Sequence, residues 1–328
     1  MPRTGPQTVS LGGMQPMTQQ GQATEPLAPG ALKTWFLETR PQFLLLSVVL
    51  GPIGAAIAWY EGTLDWGALL LSWVGVILAH VAVNVLNDYF DWASQLDFRT
   101  RRTPFSGGSG ILPAGLLEPR KVYWLGVSML AIDAVIALYF CLTKGWALLP
   151  VVLLGGAFAY FYTPYLSHWS VGEVAAGLGL GSLVVLGAYF VQTGTYTWSA
   201  VLASLGPGFL TANLLLLNEF PDLEADRTVG RRNLVMRLGP VGAARLFTAL
   251  LLGTYASVVL GVALHLMPVG TLVVLLTLPL ARQTILGVQA HLRGEAPLEP
   301  ALGGNVMTIL STDFLLTLGY LLSGFLGL

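Results

Sequence analysis

Nine apolar stretches, near residues 42–60, 66–87, 121–142, 146–163, 172–192, 198–218, 241–264, 267–289 and 303–327, decide what this chain can become. Each is close to the roughly 20 residues that cross about 30 Å of hydrocarbon as a helix. The runs are continuous and lack the apolar/polar alternation of a lipid-facing strand, so an all-α polytopic membrane protein is expected rather than a β-barrel. Lipid offers the backbone no hydrogen-bond partners, and a helix supplies them internally. The composition agrees: 54% hydrophobic, 10% charged, with a mean hydropathy of +0.69.

The basic residues test the count. With a cytoplasmic N-terminus, the loops after segments two, four, six and eight are cytoplasmic too, and every one of the 16 Lys and Arg residues except Lys144 falls on that side. Residues 1–30 are rich in Gln, Gly, Pro and Thr without periodicity and are expected to be a disordered tail, ahead of a transmembrane domain over 31–328. Lys33 and Arg40 resemble a signal-peptide flank, but the first apolar segment is long enough to span and reads as an uncleaved anchor. A net charge of −1 gives no reason to expect nucleic-acid binding, and the single Cys141 excludes an internal disulfide.

Acidic groups are scarce, yet they gather twice at the cytoplasmic ends of apolar runs. Asn87-Asp88-Tyr89-Phe90-Asp91 closes segment two, and Asn218-Glu219-Phe220-Pro221-Asp222 closes segment six. On a helix Asn84, Asn87, Asp88 and Asp91 form one polar stripe, with Asp97 shortly beyond. The second set is Asn218, Asp222 and Asp226, with Glu219 and Glu224 nearby. Pro221 predicts a kink or a helix end near Leu217 to Asn218, freeing a carbonyl beside the carboxylates.

Carboxylates converging at a membrane surface repel unless a cation neutralises them. Oxygen-only ligands suit Mg²⁺, which takes one or two carboxylates and leaves positions for water and phosphate oxygens. The Arg-rich flanks suit a diphosphate. One such motif alone reads equally well as solvated helix-end charge; two near-repeats on one side favour a shared polar site. Phe105-Ser106-Gly107-Gly108-Ser109-Gly110 is either a backbone nest for an anion or a flexible connector. Gly177, Gly179 and Gly181 lie inside an apolar run with no preceding strand and read as close helix packing.

These motifs resemble the two aspartate-rich motifs of the UbiA superfamily of intramembrane aromatic prenyltransferases. The resemblance rests on Asn87-Asp88-x-x-Asp91-x5-Asp97 and on Asn218-Glu219-Phe220-Pro221-Asp222-x3-Asp226-Arg227-x-x-Gly230-Arg231-Arg232-Asn233-Leu234, with Tyr162-Thr163-Pro164 and Gly172-Glu173 between them. It spans most of residues 33–328. It implies nine helices around a central cavity, capped on the cytoplasmic side by the loops after segments two and six. It also implies transfer of a polyprenyl chain from its diphosphate to an aromatic acceptor within the lipid bilayer; a prokaryotic cell membrane is expected, with the active site on its cytoplasmic side.

Carried onto this chain, Asp88, Asp91, Asp222 and Asp226 are the implied Mg²⁺ ligands, supported by Asn84, Asn87, Asp97 and Asn218. Arg101, Arg102, Arg231 and Arg232 are the implied diphosphate partners. Where many members carry an aspartate four residues after the second, this chain has Gln95, and Asp97 lies two further on. That spacing resembles the menaquinone branch, which prenylates 1,4-dihydroxy-2-naphthoate, more than the 4-hydroxybenzoate branch.

Aromatic faces can stabilise an allylic cation, and Tyr89, Phe90, Tyr160, Phe161, Tyr162 and Tyr165 lie near cytoplasmic helix ends, where an interfacial belt is the equal alternative. Tyr162 is the preferred site member because it sits in the family-like stretch. No spacing of His80, His168, His265 and His291 suits a metal. Ionisable groups at membrane depth are expensive, which singles out Asp133, Glu173 and Asp313; Glu173 is placed to orient an acceptor hydroxyl. A divalent-cation transporter is the alternative from another class, but it calls for carboxylates reaching the midplane, whereas here they crowd one surface. Neither prenyl length nor oligomeric state is encoded in these patterns.

Overall fold

The computed structural model describes residues 28–100, 102–103 and 105–327; residues 1–27 of the expected tail, and Arg101, lie outside the described residues. Among the described residues the secondary structure is helical throughout. A short surface helix, α1 (Leu32–Glu38), precedes α2 (Pro41–Tyr60), α3 (Trp66–Ala93) and α4 (Pro119–Lys144). A 3-10 turn then leads into α5 (Leu149–Phe161). Next come α6 (Gly172–Gly177) and α7 (Leu183–Thr193), joined through a π turn over Leu178–Ser182. The chain finishes with α8 (Trp198–Thr228), α9 (Leu234–Ala263), a 3-10 segment Val269–Thr277 running into α10 (Leu278–Leu292), and α11 (Glu299–Leu326).

All nine apolar segments are therefore helical. Eight of the spans are long and apolar enough to cross a membrane, and the ninth, Trp146–Phe161, is shorter. Capping residues set several starts: Asp65 accepts from Ala68 N at 3.0 Å, Thr197 from Ala200 N at 3.2 Å, and Asn233 from Met236 N at 2.9 Å. Lys144, the one cation expected on the far side, pairs with Asp65 at 2.8 Å.

The segment over 172–192 departs from α geometry where it meets α8. A Cβ at Gly177 or Gly181 would stand 2.7 Å from the backbone of Gly208, so the close packing read from these glycines is present and only glycine permits it. Of the two outcomes expected at Pro221, a kink or a helix end, the helix end needs correcting. Helix α8 does not end near Leu217 to Asn218 but runs through Pro221 to Thr228. Its last turns are held from outside by the partners of Asp226 described below, which offsets the backbone hydrogen bond that Pro221 removes.

Helices α2 and α7–α11 share a continuous apolar core that encloses Leu50, Ile53, Tyr189, Leu216, Phe247 and Tyr320 completely. The α4–α5 side is thinner, and α5 has no fully buried residue. A cavity of about 410 Å³ opens between α3, α4 and α5 on one side and α6–α8 on the other. Ser72, Val76, Ala79, Val83 and Asn87 line it at helical spacing, so the acidic stripe is the upper end of the α3 face that forms the cavity wall.

Candidate active site

Both acidic motifs stand at the mouth of this cavity. Asp91 from α3 and Asp222 and Asp226 from α8 line it, together with Asn84, Asn87, Asn218 and Asp97. Arg231, in the turn between α8 and α9, joins the two motifs. Its Nη2 pairs with Asp91 Oδ1, and its Nη1 lies 3.6 Å from Asp226 Oδ1. Burial alone would lower the Arg231 guanidinium, but Asp91 and Asp226 raise it above its ordinary value, so it is a fixed positive charge between the motifs. Asn233 caps α9 with its carbonyl and donates its amide to Asp226 Oδ2 at 3.1 Å.

Asp88 has a different setting. Although it is buried, it does not line the cavity. Its Oδ2 accepts from Ser109 N at 2.9 Å, and its Oδ1 is 3.5 Å from Arg40 Nη1. The Ser109 hydroxyl in turn donates to Glu38 Oε2 at 2.9 Å, so α1, the loop after α3 and the first motif are tied into one cap. The segment 105–110 is tied to the first motif rather than free: Ser106, Gly107 and Gly108 line the mouth, and the backbone N–H of Ser109 donates to the Asp88 carboxylate. Gly108 has φ of +70°, and a Cβ there would stand 2.8 Å from both carboxyl oxygens of Asp97.

A second stitch closes the cap. Arg232 N donates to Ser167 O at 3.0 Å, and Ser170 N donates to Arg232 O at 2.8 Å, tying the α5–α6 loop to the α8–α9 turn. Asn87 Nδ2 reaches Thr163 Oγ1 at 3.0 Å in the same loop. Glu173 is buried and its Oε1 accepts from Leu234 N at 2.5 Å, which places this residue at the start of α9 rather than on the cavity wall. Tyr162 lines the cavity with its ring over Gly172.

The mouth carries more acid than base. Among the described residues, the buried oxygens Asp97 Oδ2 and Asp222 Oδ1 have no hydrogen-bond partner. Burial first, then the charges of Asp91 and Asp88, push the Asp97 carboxyl up to about 8. Burial and then Asp88 do the same to Glu38, also to about 8, against the opposing Ser109 hydrogen bond. Unmatched anionic oxygens around one opening fit a hard divalent cation. No three acidic, histidine or cysteine side chains among the described residues already enclose such a position, and Arg231 occupies the space between Asp91 and Asp226.

Of the four flagged arginines, Arg231 alone among those described lines the cavity. Arg232 is exposed, and Arg102 is exposed with its guanidinium packed over Gly110. Sequence reasoning passed over Arg40, which lines the mouth and contacts Asn87 at 3.3 Å. Its backbone is left-handed, with φ of 54°, an uncommon conformation for a residue other than glycine. Glu38 was also missed, and Ser109 was read only as part of the 105–110 segment. Asn233 carried a readable signal, a capping residue just before an apolar run.

Residues 44–294 match the UbiA prenyltransferase family. The chain is 28% identical over 292 residues to a 1,4-dihydroxy-2-naphthoate octaprenyltransferase of Bacillus subtilis, covering 88% of this chain and 92% of the relative. Its fold is similar to a UbiA homolog from Aeropyrum pernix K1, with a TM-score of 0.63 at 19% identity over 86% of this chain and 98% of that one. It is also similar to a UbiA homolog from Archaeoglobus fulgidus bound to GPP and Mg²⁺, with a TM-score of 0.58 at 15% identity over 86% and 99% of the two chains. A polytopic helical fold, paired acidic motifs at one cavity mouth and a family match over most of the length together make this chain a member of the UbiA prenyltransferase family.

Proposed function

We propose that this protein transfers a polyprenyl group from its diphosphate to 1,4-dihydroxy-2-naphthoate in menaquinone biosynthesis, with Mg²⁺, at the cytoplasmic face of a prokaryotic cell membrane. One observation carries this reading: Arg231 bridges Asp91 and Asp226, so both motifs serve one opening above an apolar cavity. The acceptor is supported by the name of the Bacillus subtilis relative, the metal and diphosphate by the ligands of the Archaeoglobus fulgidus neighbour. The cytoplasmic side is supported by the bias of basic residues.

Asp91, Asp97, Asp222 and Asp226 are the residues that would hold the metal, with Asn84, Asn87 and Asn218 beside them. Asp88, an implied ligand by resemblance, holds the cap in the present arrangement. When bound, Mg²⁺ supplies positive charge against the electron pair that leaves with the diphosphate. The Arg231 guanidinium binds diphosphate oxygens by charge-assisted hydrogen bonds, while Arg40 holds Asp88 in the cap. The carbon–oxygen bond of the allylic end breaks, its electron pair leaving with the diphosphate, as the ring carbon of the acceptor bonds to the same carbon; that ring carbon then sheds the group it carried, a proton or a carboxyl group as CO₂, to restore the aromatic ring. The apolar wall excludes water from that carbon, and the Tyr162 ring presents its face to the developing positive charge. Glu173 orients the α9 terminus from which Asn233 steadies Asp226.

The test supplies purified protein with labelled prenyl diphosphate, Mg²⁺ and either 1,4-dihydroxy-2-naphthoate or 4-hydroxybenzoate. Prenylated naphthoate is expected, and excess chelator should abolish it. Product formed only from 4-hydroxybenzoate would move the protein to the other branch. Product persisting in Asp91→Ala combined with Asp222→Ala would overturn the roles given to the motifs.

A further inference from the structure

His80 lies on the cavity-lining face of α3, one turn deeper than Asn84, and is 5% exposed. Its Nδ1 is 2.7 Å from Ser47 Oγ on α2. The backbone of Ser47 is anchored in turn, because Trp73 Nε1 donates to the Ser47 carbonyl at 3.2 Å. Among the described residues Ser47 Oγ has no other hydrogen-bond partner, so its proton is directed to Nδ1 and the imidazole keeps its own proton on Nε2. Nε2 has no partner among the described residues, yet it is not one of the polar atoms sealed inside the protein. His80 lines the cavity, and with Nδ1 engaged by Ser47 on α2, Nε2 is the ring nitrogen left to serve it.

A donor held this way is costly to leave unpaired, and it is matched when a ligand brings an oxygen. The isoprenoid tail is hydrocarbon and brings none. The aromatic acceptor carries several. Asn87 stands seven residues above His80, about 10 Å along the helix axis, which accommodates a substituted two-ring aromatic between the diphosphate end of the cavity and the imidazole. We propose that His80 Nε2–H donates a hydrogen bond to a ring oxygen of the acceptor, selecting oxygenated aromatics and fixing which ring carbon meets the allylic carbon. The proposal rests on the prenyl-transfer reading above and adds to it the residue that recognises the second substrate.

Full-length protein in lipid nanodiscs is assayed with Mg²⁺, prenyl diphosphate, the dihydroxynaphthoate and a set of analogues each lacking one ring oxygen. His80→Leu is expected to raise the acceptor KM about tenfold, the scale of one lost hydrogen bond, with the diphosphate KM unchanged. His80→Gln restores an N–H donor and should recover most of that loss. One analogue should cost the wild type about tenfold and cost His80→Leu nothing further. Equal losses in both variants, a raised KM for the diphosphate instead, or no analogue whose penalty vanishes in His80→Leu would each overturn the assignment. If His80→Leu does not accumulate, Ser47→Ala releases the tautomer: an acceptor KM raised about threefold supports the proposal, and an unchanged one sinks it. Failure of the wild type to turn over would break the prenyl-transfer reading itself, a result distinct from either variant outcome.

Discussion

The α3 and α8 motifs carry similar residues at similar helix ends, but their carboxylates meet different surroundings. In α3 the first aspartate, Asp88, turns away from the cavity and is satisfied by Ser109 and Arg40, while Asp91 faces the cavity and Arg231. In α8 both aspartates line the cavity; Asp226 is held by Asn233 and Arg231, and Asp222 Oδ1 has no partner among the described residues. The α3 motif thus builds the lid as well as the site, whereas the α8 motif contributes open anionic oxygen. One residue type at one spacing does two jobs because the loop packed over each helix end differs.

Removing cavity-facing acids tests the shared part of the comparison and carries the largest effect. Asp222→Ala and Asp91→Ala are each expected to lower kcat/KM by about 10²- to 10³-fold, the loss seen when one preorganised electrostatic group is removed, measured with labelled diphosphate at saturating Mg²⁺. Next in size, Arg231→Met should cost about 10²-fold, and Arg231→Lys should recover little, because an ammonium cannot reproduce the two-armed bridge. A lysine variant near wild-type activity would show that charge alone suffices there.

Breaking the lid rather than the site should do less. Arg40→Ala leaves Asp88 with Ser109 alone and is expected to cost about tenfold in kcat/KM, chiefly through a higher Mg²⁺ requirement in a metal titration. If Arg40→Ala matched Asp222→Ala, Arg40 would belong with the diphosphate partners and the asymmetry between the motifs would shrink. The smallest effect concerns pH. Glu38 and Asp97 have carboxyls raised to about 8, so the stability they lend is present below their ordinary values and lost as pH climbs toward 8. The unfolding temperature of metal-free protein should therefore fall as pH rises through that window. Mg²⁺ favours the ionised carboxylates and should protect more at pH 8 than at pH 5, and Glu38→Gln should flatten the metal-free slope.

Much of the fold was legible because lipid leaves a chain few options. Continuous apolar runs gave the spans, and the spacing of Asn84, Asn87 and Asp91 gave the face of α3 that lines the cavity. What escaped is what depends on neighbours distant in sequence. Arg40 read as a flanking charge, since nothing in its surroundings announces that α2 begins beside Asn87. Arg231 and Arg232 are adjacent and chemically alike, yet the turn between α8 and α9 aims one into the cavity and the other at solvent. Pro221 allowed a helix end, yet α8 continues through it to Thr228. His80 lacked a metal-ligand spacing and was set aside, because its directional partner, Ser47, lies on another helix.

The central claim is that one substrate headgroup is gripped by both motifs at once. The direct measurement is binding of a non-reactive prenyl thiolodiphosphate with Mg²⁺, by calorimetry, to wild type, Asp91→Asn, Asp222→Asn and the double variant. A shared site predicts strong coupling, with the double variant binding little worse than either single one. Losses that simply add, as for two independent sites, would contradict it.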